Sequence, residues 1–284
     1  MRMLKLAALL AISAGVVSAA LARPDASRLT VVVMDPLAAP LSCPCVKGYA
    51  QRDYDQLGKY LEGKLGRPVS VAYSDSLTKA LKDKTDGKVD VIIGKRSVVL
   101  ADAKANSLTV TPIAALTGKD GATTQTGLIV VPKNDPAKSV ADLKGYRIIF
   151  GPADCEEKHA AALDLLKAHR VPPPEKLETC AACSDGATTI LELGPKVRAA
   201  TVISSYAAPL LEGCGTIQKG DLRVVGTTVP VPFIDAFVVN TLSEKNRAAV
   251  KDALLHLVDH PPLLIALETQ KGFVAEPSTP QKKR

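Results

Sequence analysis

Six cysteines are the side chains in this sequence that are best suited to chemistry. They occur as Cys43-Pro44-Cys45, Cys155, Cys180-Ala181-Ala182-Cys183 and Cys214. Three interpretations compete. Cysteines of an exported protein usually form disulfides. Thiolates together with an imidazole such as His159 bind copper or zinc. A Cys-x-x-Cys pair can also cycle between dithiol and disulfide, although the flanking pattern of a thioredoxin-like redox site is missing here.

The N-terminus predicts export. Arg2 and Lys5 give a positive start, the apolar stretch 6–17 follows, and Ala20-Leu21-Ala22 forms an A-x-A cleavage pattern. The apolar stretch is shorter than the roughly 20 residues that span a bilayer. We therefore expect residues 1–22 to be a cleaved signal peptide and the mature protein to be periplasmic.

Composition argues against several classes of function. The net charge is +7, but part of it lies in the signal peptide and in the basic tail 281–284. The chain has no Trp, so base-stacking surfaces for nucleic acid are not expected. No G-x-S-x-G, H-E-x-x-H or P-loop pattern occurs, so we predict no enzymatic activity. The roughly 260 mature residues suggest one large or two medium domains.

Strands alternate with helices along the chain. Apolar runs predict strands at 29–34, 69–73 and 89–94, and helical spacing predicts helices at 54–65 and 76–84. The alternation restarts with a helical turn at 139–145, a strand at 146–151, a helix at 156–169, strands at 197–203 and 222–225, and a helix at 242–258. Strand-like crossings near 126–131 and 232–240 separate the two series. This pattern favours two α/β lobes, and one large doubly wound sheet is the alternative.

The order of motifs resembles the substrate-binding proteins of phosphate, phosphite and phosphonate ABC transporters. The likeness is carried by YDQLGKYLE at 54–62 with LGRPV at 65–69, GKVDVIIG at 87–94, GLIVV at 127–131, SVADLKGYRI at 139–148 and VPVP at 229–232. The resemblance implies an α/β, two-lobed, type 2 periplasmic-binding fold. Each lobe would be a mostly parallel sheet flanked by helices, with a cleft between. Lobe 1 would comprise 23–125 plus 237–284, and lobe 2 would comprise 126–236.

The same resemblance implies a function. Such a protein binds a small anionic ligand by hinge closure and presents it to an ABC permease in the membrane. It needs no cofactor, binds no nucleic acid and usually acts as a monomer. A metal or metal-complex binding protein that uses copper or zinc is one alternative. An accessory protein of an exported redox system is another.

The sequence departs from the family at the start of the second lobe. Where phosphonate binders carry Ser and Thr hydroxyls, this chain has Asp154, Cys155, Glu156 and Glu157. Carboxylates there would repel a phosphonate. Alternatively, Asp154 caps a helix and both glutamates lie in its first turn, where negative charge is favourable.

Two cations follow the third strand. Lys95 and Arg96 are placed to bind an anion in the cleft, or to form an interlobe ion pair with Glu156 or Glu157. The full set of predicted ligand-binding residues is Asp35, Arg52, Lys95, Arg96, Ser97, Thr126, Asp154, Cys155, Glu156, Ser184, Asp185, Ser205 and Tyr206.

The implied fold also predicts which cysteines could pair as disulfides and which could bind a metal. A disulfide would join Cys155 to Cys180 or Cys183, and the remaining cysteine of that pair would bond to Cys214, all within lobe 2. Cys43 and Cys45 would be left together, and a disulfide across one residue is strained. The metal alternative would use Cys43, Cys45, Cys155 and His159 as ligands.

Overall fold

The computed structural model describes residues 27–42 and 50–275. The strands are β1 (Leu29–Met34), β2 (Val69–Tyr73), β3 (Val91–Lys95), β4 (Val110–Leu116), β5 (Thr124–Gln125), β6 (Gly127–Pro132), β7 (Arg147–Phe150), β8 (Glu178–Thr179), β9 (Ala199–Ser204), β10 (Leu222–Thr227), β11 (Val231–Pro232), β12 (Ile234–Val239) and β13 (Phe273–Val274). The helices are α1 (Tyr54–Leu65), α2 (Leu77–Asp83), α3 (Arg96–Ala105), α4 (Ala160–Ala168), α5 (Cys183–Glu192), α6 (Ala207–Gly213), α7 (Glu244–Leu255) and α8 (Pro261–Ala266).

The first sheet has six strands in the order β13-β4-β12-β3-β1-β2. Strand β1 pairs in parallel with β2 and β3, whereas β12 is antiparallel to β3 and β4. Every residue of β1 and of β3 is buried. This continuous burial is typical of strands covered by helices on both faces. One face packs on residues of α1 and α7, and the other packs on residues of α2 and α3.

The second sheet has five strands in the order β10-β6-β9-β7-β8. Strand β7 pairs in parallel with β8 and β9, and β6 is antiparallel to β9 and β10. Residues of α4 cover one face, and residues of α5 and α6 cover the other. The predicted α/β class with two sheets is confirmed, and the alternative of one large doubly wound sheet is wrong. The expectation that each sheet is mostly parallel also needs correction, because β12 in the first sheet and β6 in the second pair antiparallel to both of their neighbours.

A two-stranded link made of β5 and β11 lies between the sheets. Val231 pairs with Gln125, and Pro232 pairs with Thr124. On the outward path, β5 lies in the chain between β4 of the first sheet and β6 of the second. On the return path, β11 lies between β10 of the second sheet and β12 of the first. Both passages of the chain between the sheets are therefore hydrogen-bonded to each other.

Local sequence signals explain the bounds of α1. Its N-cap Asp53 accepts hydrogen bonds from the backbone N–H groups of Asp55 and Gln56. The helix ends at Gly66, which has a φ of 62°. Asp is a favoured N-cap, and glycine is favoured in this left-handed conformation. The predicted range 54–65 is confirmed.

The helix predicted at 156–169 is wrong at its start. A 3-10 turn spans Glu156–Lys158, and α4 begins only at Ala160. His159 separates them with φ −121° and ψ −83°, which is not a helical conformation. Asp154 is therefore not the N-cap of α4, and the two glutamates do not lie in its first turn. The physical reason is that the side chain of Glu157 is buried against Lys95 at the end of β3 and Ser204 at the end of β9.

Among residues 27–42 and 50–275, every helix is too short or too polar to cross a membrane.

Candidate functional site

Several strands of the two sheets end at a common region between them. Strand β1 ends just before Asp35, β3 ends at Lys95, and β9 ends at Ser204. Strand β7 ends at Phe150 and leads into the segment that carries Glu157. In open α/β sheets, ligands bind outside the carboxyl ends of the strands. This region is therefore the candidate site.

Lys95, Glu157 and Ser204 form a group that we call the interlobe cluster. Lys95 Nζ lies 2.5 Å from Glu157 Oε1, and Ser204 Oγ donates to the same oxygen at 2.6 Å. Lys95 is 6% exposed, and Glu157 and Ser204 are fully buried. One carboxylate oxygen thus accepts hydrogen bonds from the first sheet and from the second sheet.

Electrostatics in the interlobe cluster favour the charged ammonium. Burial acts to lower the pKa of Lys95, but Glu157 and then Cys155 outweigh it, so this pKa lies above its ordinary value. Cys155 Sγ lies 3.5 Å from Lys95 Nζ. Burial raises the pKa of the Cys155 thiol, although Lys95 and Lys158 act in the opposite direction. Lys95 is therefore held in its charged form, and the thiolate form of Cys155 is disfavoured.

A second buried ion pair lies on the first-sheet side. Asp35 Oδ2 accepts hydrogen bonds from Arg52 Nη1 at 2.8 Å and from Tyr54 Oη at 2.6 Å. Its Oδ1 accepts from the backbone N–H of Leu37 at 2.9 Å. Asp35 is fully buried and Arg52 is 4% exposed. The Arg52 guanidinium lies over the ring of Phe233, 5.6 Å from its centroid. Asp35 therefore positions Arg52 and is not itself open to a ligand.

A third ion pair joins Arg96, the first residue of α3, to Asp235 of β12. Arg52, Lys95 and Arg96 are thus each paired with a carboxylate.

A cavity of about 380 Å³, which we call the hinge cavity, is lined in part by Ser205, the chain neighbour of Ser204 in the interlobe cluster. Tyr206 and Phe233 stack within its wall with ring centroids 5.0 Å apart. Gln125 is 5% exposed, and no described group hydrogen-bonds to either its amide oxygen or its amide nitrogen. Arg52 Nε is also buried and has no acceptor among the described residues. Its described lining comprises Leu37, Ala50, Arg52, Gly118, Lys119, Asp120, Ala122, Thr124, Gln125, Ser205, Tyr206, Phe233 and Glu268.

A larger cavity of about 800 Å³ lies at the other end of the first sheet, near Thr30 and Asp90. None of the described residues that line it has a buried polar side-chain atom without a partner. We therefore place the functional site at the hinge cavity, where unsatisfied polar atoms and buried charges occur together.

The remaining predicted site residues have varied surroundings. Ser97 Oγ accepts from the backbone N–H of Glu156 at 3.2 Å, which ties α3 to the second lobe. Thr126 and Ser205 bond to each other, the N–H of Thr126 donating to Ser205 Oγ and the N–H of Ser205 donating to the Thr126 carbonyl. Asp154 is half-buried in the loop before the 3-10 turn.

Ser184 and Asp185 lie in the first turn of α5. Asp185 accepts hydrogen bonds from the N–H of Ala182 and from the Ser184 hydroxyl. Asp185 thus gives hydrogen-bond acceptors to two donors at the exposed start of α5, which is a structural role.

The cysteine predictions need correction. Cys155, Cys180, Cys183 and Cys214 are free thiols, so the predicted disulfides among them are not confirmed. Each thiol has its own partner: Cys155 contacts Lys95, Cys180 donates to the Ala182 carbonyl, Cys183 contacts Ser204, and Cys214 contacts Thr216.

The predicted metal ligands do not come together in the part of the chain that is described. His159 Nδ1 lies 2.9 Å from the Gly151 carbonyl oxygen. No three His, Cys, Asp or Glu side chains in residues 27–42 and 50–275 converge on one point. Cys43 and Cys45 lie outside the described residues.

Sequence reasoning did not place Gln125, Ser204, Phe233 or Asp235 in the site. The sequence presents Glu157 as a carboxylate that would repel a phosphonate, as a first-turn helix residue or as an ion-pair partner, and not as one of the predicted ligand-binding residues. Asp235 had a usable signal, because it interrupts the apolar run Ile234–Val239. Gln125 had none, because a single Gln in a polar stretch is typical of any loop.

Comparisons with known proteins agree with the two-lobed α/β fold. The sequence profile of the periplasmic substrate-binding proteins of phosphonate ABC transporters matches residues 48–276. No curated protein sequence matches this chain significantly. The solved binding component of an ABC phosphonate transporter from Pseudomonas aeruginosa has a TM-score of 0.64 at 13% identity, covering 88% of this chain and 81% of that chain.

Two further solved structures are similar. PhnD1 from Prochlorococcus marinus, in complex with methylphosphonate, has a TM-score of 0.61 at 14% identity and covers 88% of this chain and 93% of its own. A Xanthomonas citri protein bound to ATP has a TM-score of 0.63 at 16% identity and covers 89% and 92%. At these identities the structural similarity shows the two-lobed fold alone.

Proposed function

Because this chain belongs to the periplasmic substrate-binding proteins of phosphonate-type ABC transporters, we propose that it captures a small anionic solute between its lobes. Family membership implies the periplasm as its compartment, a small-molecule ligand and a membrane permease as its partner. We further propose lobe 1 as 23–125 plus 237–284 and lobe 2 as 126–236, with closure at the β5–β11 link. The protein acts as a monomeric receptor without a cofactor.

The observation that carries the proposal is the interlobe cluster. A single carboxylate oxygen accepts hydrogen bonds from Lys95 of the first sheet and Ser204 of the second. An oxyanion is thus held by donors from both sides of the cleft, in a place without solvent exposure. Charge-assisted hydrogen bonds of this kind are among the strong ones. The same donors suit an oxygen of a phosphonate or phosphate group.

The hinge cavity supplies the space for the rest of the ligand. Its volume of about 380 Å³ falls within the range of about 300–1,000 Å³ for small-molecule sites. The stacked rings of Tyr206 and Phe233 offer an apolar wall. The buried amide of Gln125 has no partner in residues 27–42 and 50–275, and leaving such a group unsatisfied costs about 1–3 kcal/mol. A bound polar ligand would remove that cost.

The experiment is isothermal titration calorimetry of the purified mature chain with methylphosphonate, phosphite, phosphate and sulfate. We expect one site for at least one of these anions. Absence of binding to all of them at millimolar concentration would contradict the anionic ligand class.

A Gln125→Met variant tests the location of the site. Its near-isosteric side chain keeps the volume but removes the amide, so affinity should fall about 5- to 30-fold through the lost hydrogen bonds. The ligand-free variant should be at least as stable as the original chain, because no protein contact is lost. Gln218→Met, on the exposed surface, is the matched control. An unchanged affinity in Gln125→Met would place the ligand elsewhere.

The metal-binding and redox alternatives are not favoured. The family profile that matches 48–276 describes solute receptors, and the Cys155 thiol is engaged by Lys95 in the interlobe cluster.

A further inference from the structure

We infer that Glu157 is an internal anion that occupies the oxyanion position of the cleft, so that an incoming anionic ligand binds Lys95 only by displacing it. Glu157 would then set the affinity and selectivity of the site. This inference rests on the proposed function, because it concerns the same cleft.

The carboxylate of Glu157 makes the contacts that we propose for an oxyanion of the ligand. Its Oε1 accepts from Lys95 Nζ at 2.5 Å and from Ser204 Oγ at 2.6 Å, and the residue is fully buried. Its Oε2 is also buried but has no hydrogen-bond donor among the described residues. The site therefore satisfies only one of the two oxygens of this carboxylate, and the uncompensated burial of the other weakens the hold of the site on Glu157.

The charges in this region explain why an anionic ligand must compete with Glu157 for Lys95. Arg52 is paired with Asp35, Arg96 with Asp235, and Lys95 with Glu157. A second anion that entered beside an ionised Glu157 would meet like charge in a buried site, which is strongly unfavourable. Exchange of Glu157 for the ligand avoids this repulsion.

The backbone couples Glu157 to the hinge. An added Cβ on Gly127 would lie 2.0 Å from the Glu157 carbonyl oxygen, so the 3-10 turn packs directly against the start of β6. Strand β6 begins two residues after Gln125 of the β5–β11 link. A movement of β6 at the hinge therefore moves the turn that carries Glu157. In the ligand-free protein, the Lys95–Glu157 contact holds the lobes together.

The test is calorimetry with methylphosphonate and inorganic phosphate on the full mature chain and on Glu157→Gln. This substitution keeps the size of the side chain and removes its charge. We expect Glu157→Gln to bind at least about tenfold more tightly, the low end for close interfacial charge pairs. Glu192→Gln, an exposed change of equal charge on the same lobe, should bind as the original chain does.

A second measurement does not depend on the variant folding. X-ray scattering of the ligand-free original chain should match the closed structure, in which Lys95 and Glu157 are in contact. An open ligand-free original chain would overturn the inference.

The outcomes also separate the two proposals. Equal affinity of Glu157→Gln and the original chain for methylphosphonate would overturn the inference and leave the proposed function intact. Absence of binding by both proteins would overturn the anionic ligand class and the inference with it.

Discussion

Replacement of Asp35 by Ala should show how strongly the buried ion pair supports the first lobe. Asp35 is fully buried and accepts hydrogen bonds from Arg52, Tyr54 and the Leu37 N–H. The substitution leaves the Arg52 guanidinium buried without a carboxylate. Removal of one partner of a buried pair costs about 3–5 kcal/mol. We therefore expect a loss of about 4 kcal/mol in the free energy of unfolding, which is a large part of the about 5–15 kcal/mol of a typical protein.

Two comparison variants make the magnitude specific. Tyr54→Phe removes one hydrogen bond to Asp35 and should cost about 1 kcal/mol. Asp75→Ala breaks the ion pair between Asp75 and Lys79, whose side chains are 73% and 63% exposed respectively. It should cost less than about 1 kcal/mol. The same chemical change thus has a large effect in one place and a small effect in the other.

The assay is urea unfolding followed by far-ultraviolet circular dichroism, since the chain has no Trp for fluorescence. The midpoint reports stability when the slope is unchanged. A loss below about 1 kcal/mol in Asp35→Ala, similar to that of Asp75→Ala, would refute the argument that burial makes this pair indispensable.

Further predictions concern a close backbone contact and an exposed ion pair. Gly127→Ala should destabilise the protein by about 1–3 kcal/mol in urea unfolding, because the new Cβ meets the Glu157 carbonyl. Gly63→Ala, in α1 with open space around it, should stabilise by about 0.5–1 kcal/mol, and equal effects of the two changes would contradict the contact. Hydrogen bonds from Arg147 hold the pKa of Glu178 below its ordinary value, so this pair stabilises the fold above pH of about 4.3 and ceases to do so as pH falls through the folded pKa. Arg147→Met should return the Glu178 midpoint in an NMR titration to the ordinary value, and an unchanged midpoint would exclude Arg147 as the cause.

Much of the fold could be predicted because local signals and hydrophobic periodicity agree. The ranges of β1, α1 and β2 match the structure residue by residue. Asp53 and Gly66 delimit α1, and the alternation of strands and helices predicts two covered sheets. The strands β4 and β13 were not predicted, because β4 carries Pro112 and β13 has only two residues.

The site was harder to predict, because its geometry depends on tertiary contacts. Lys95 and Arg96 were placed correctly at the end of the third strand, and an interlobe pair with Glu157 was one of the alternatives. Helix propensity and charge favoured Glu157 in a regular first turn. The structure bends the chain at His159 instead, the backbone of Glu157 packs against Gly127, and Lys95 and Ser204 hold its side chain. A single sequence carries no local signal for such a contact.

The position of β12 has a consequence for how this chain folds. The second sheet is built from one continuous segment, Gly127–Thr227, whereas β12 lies between β3 and β4 of the first sheet and comes after that segment in the chain. Until Ile234–Val239 is available, β3 and β4 have unpaired edges, which are prone to association with other strands. Contacts between residues so far apart in sequence also slow folding. The second lobe should therefore fold first, and the first lobe should be the late and vulnerable step after export.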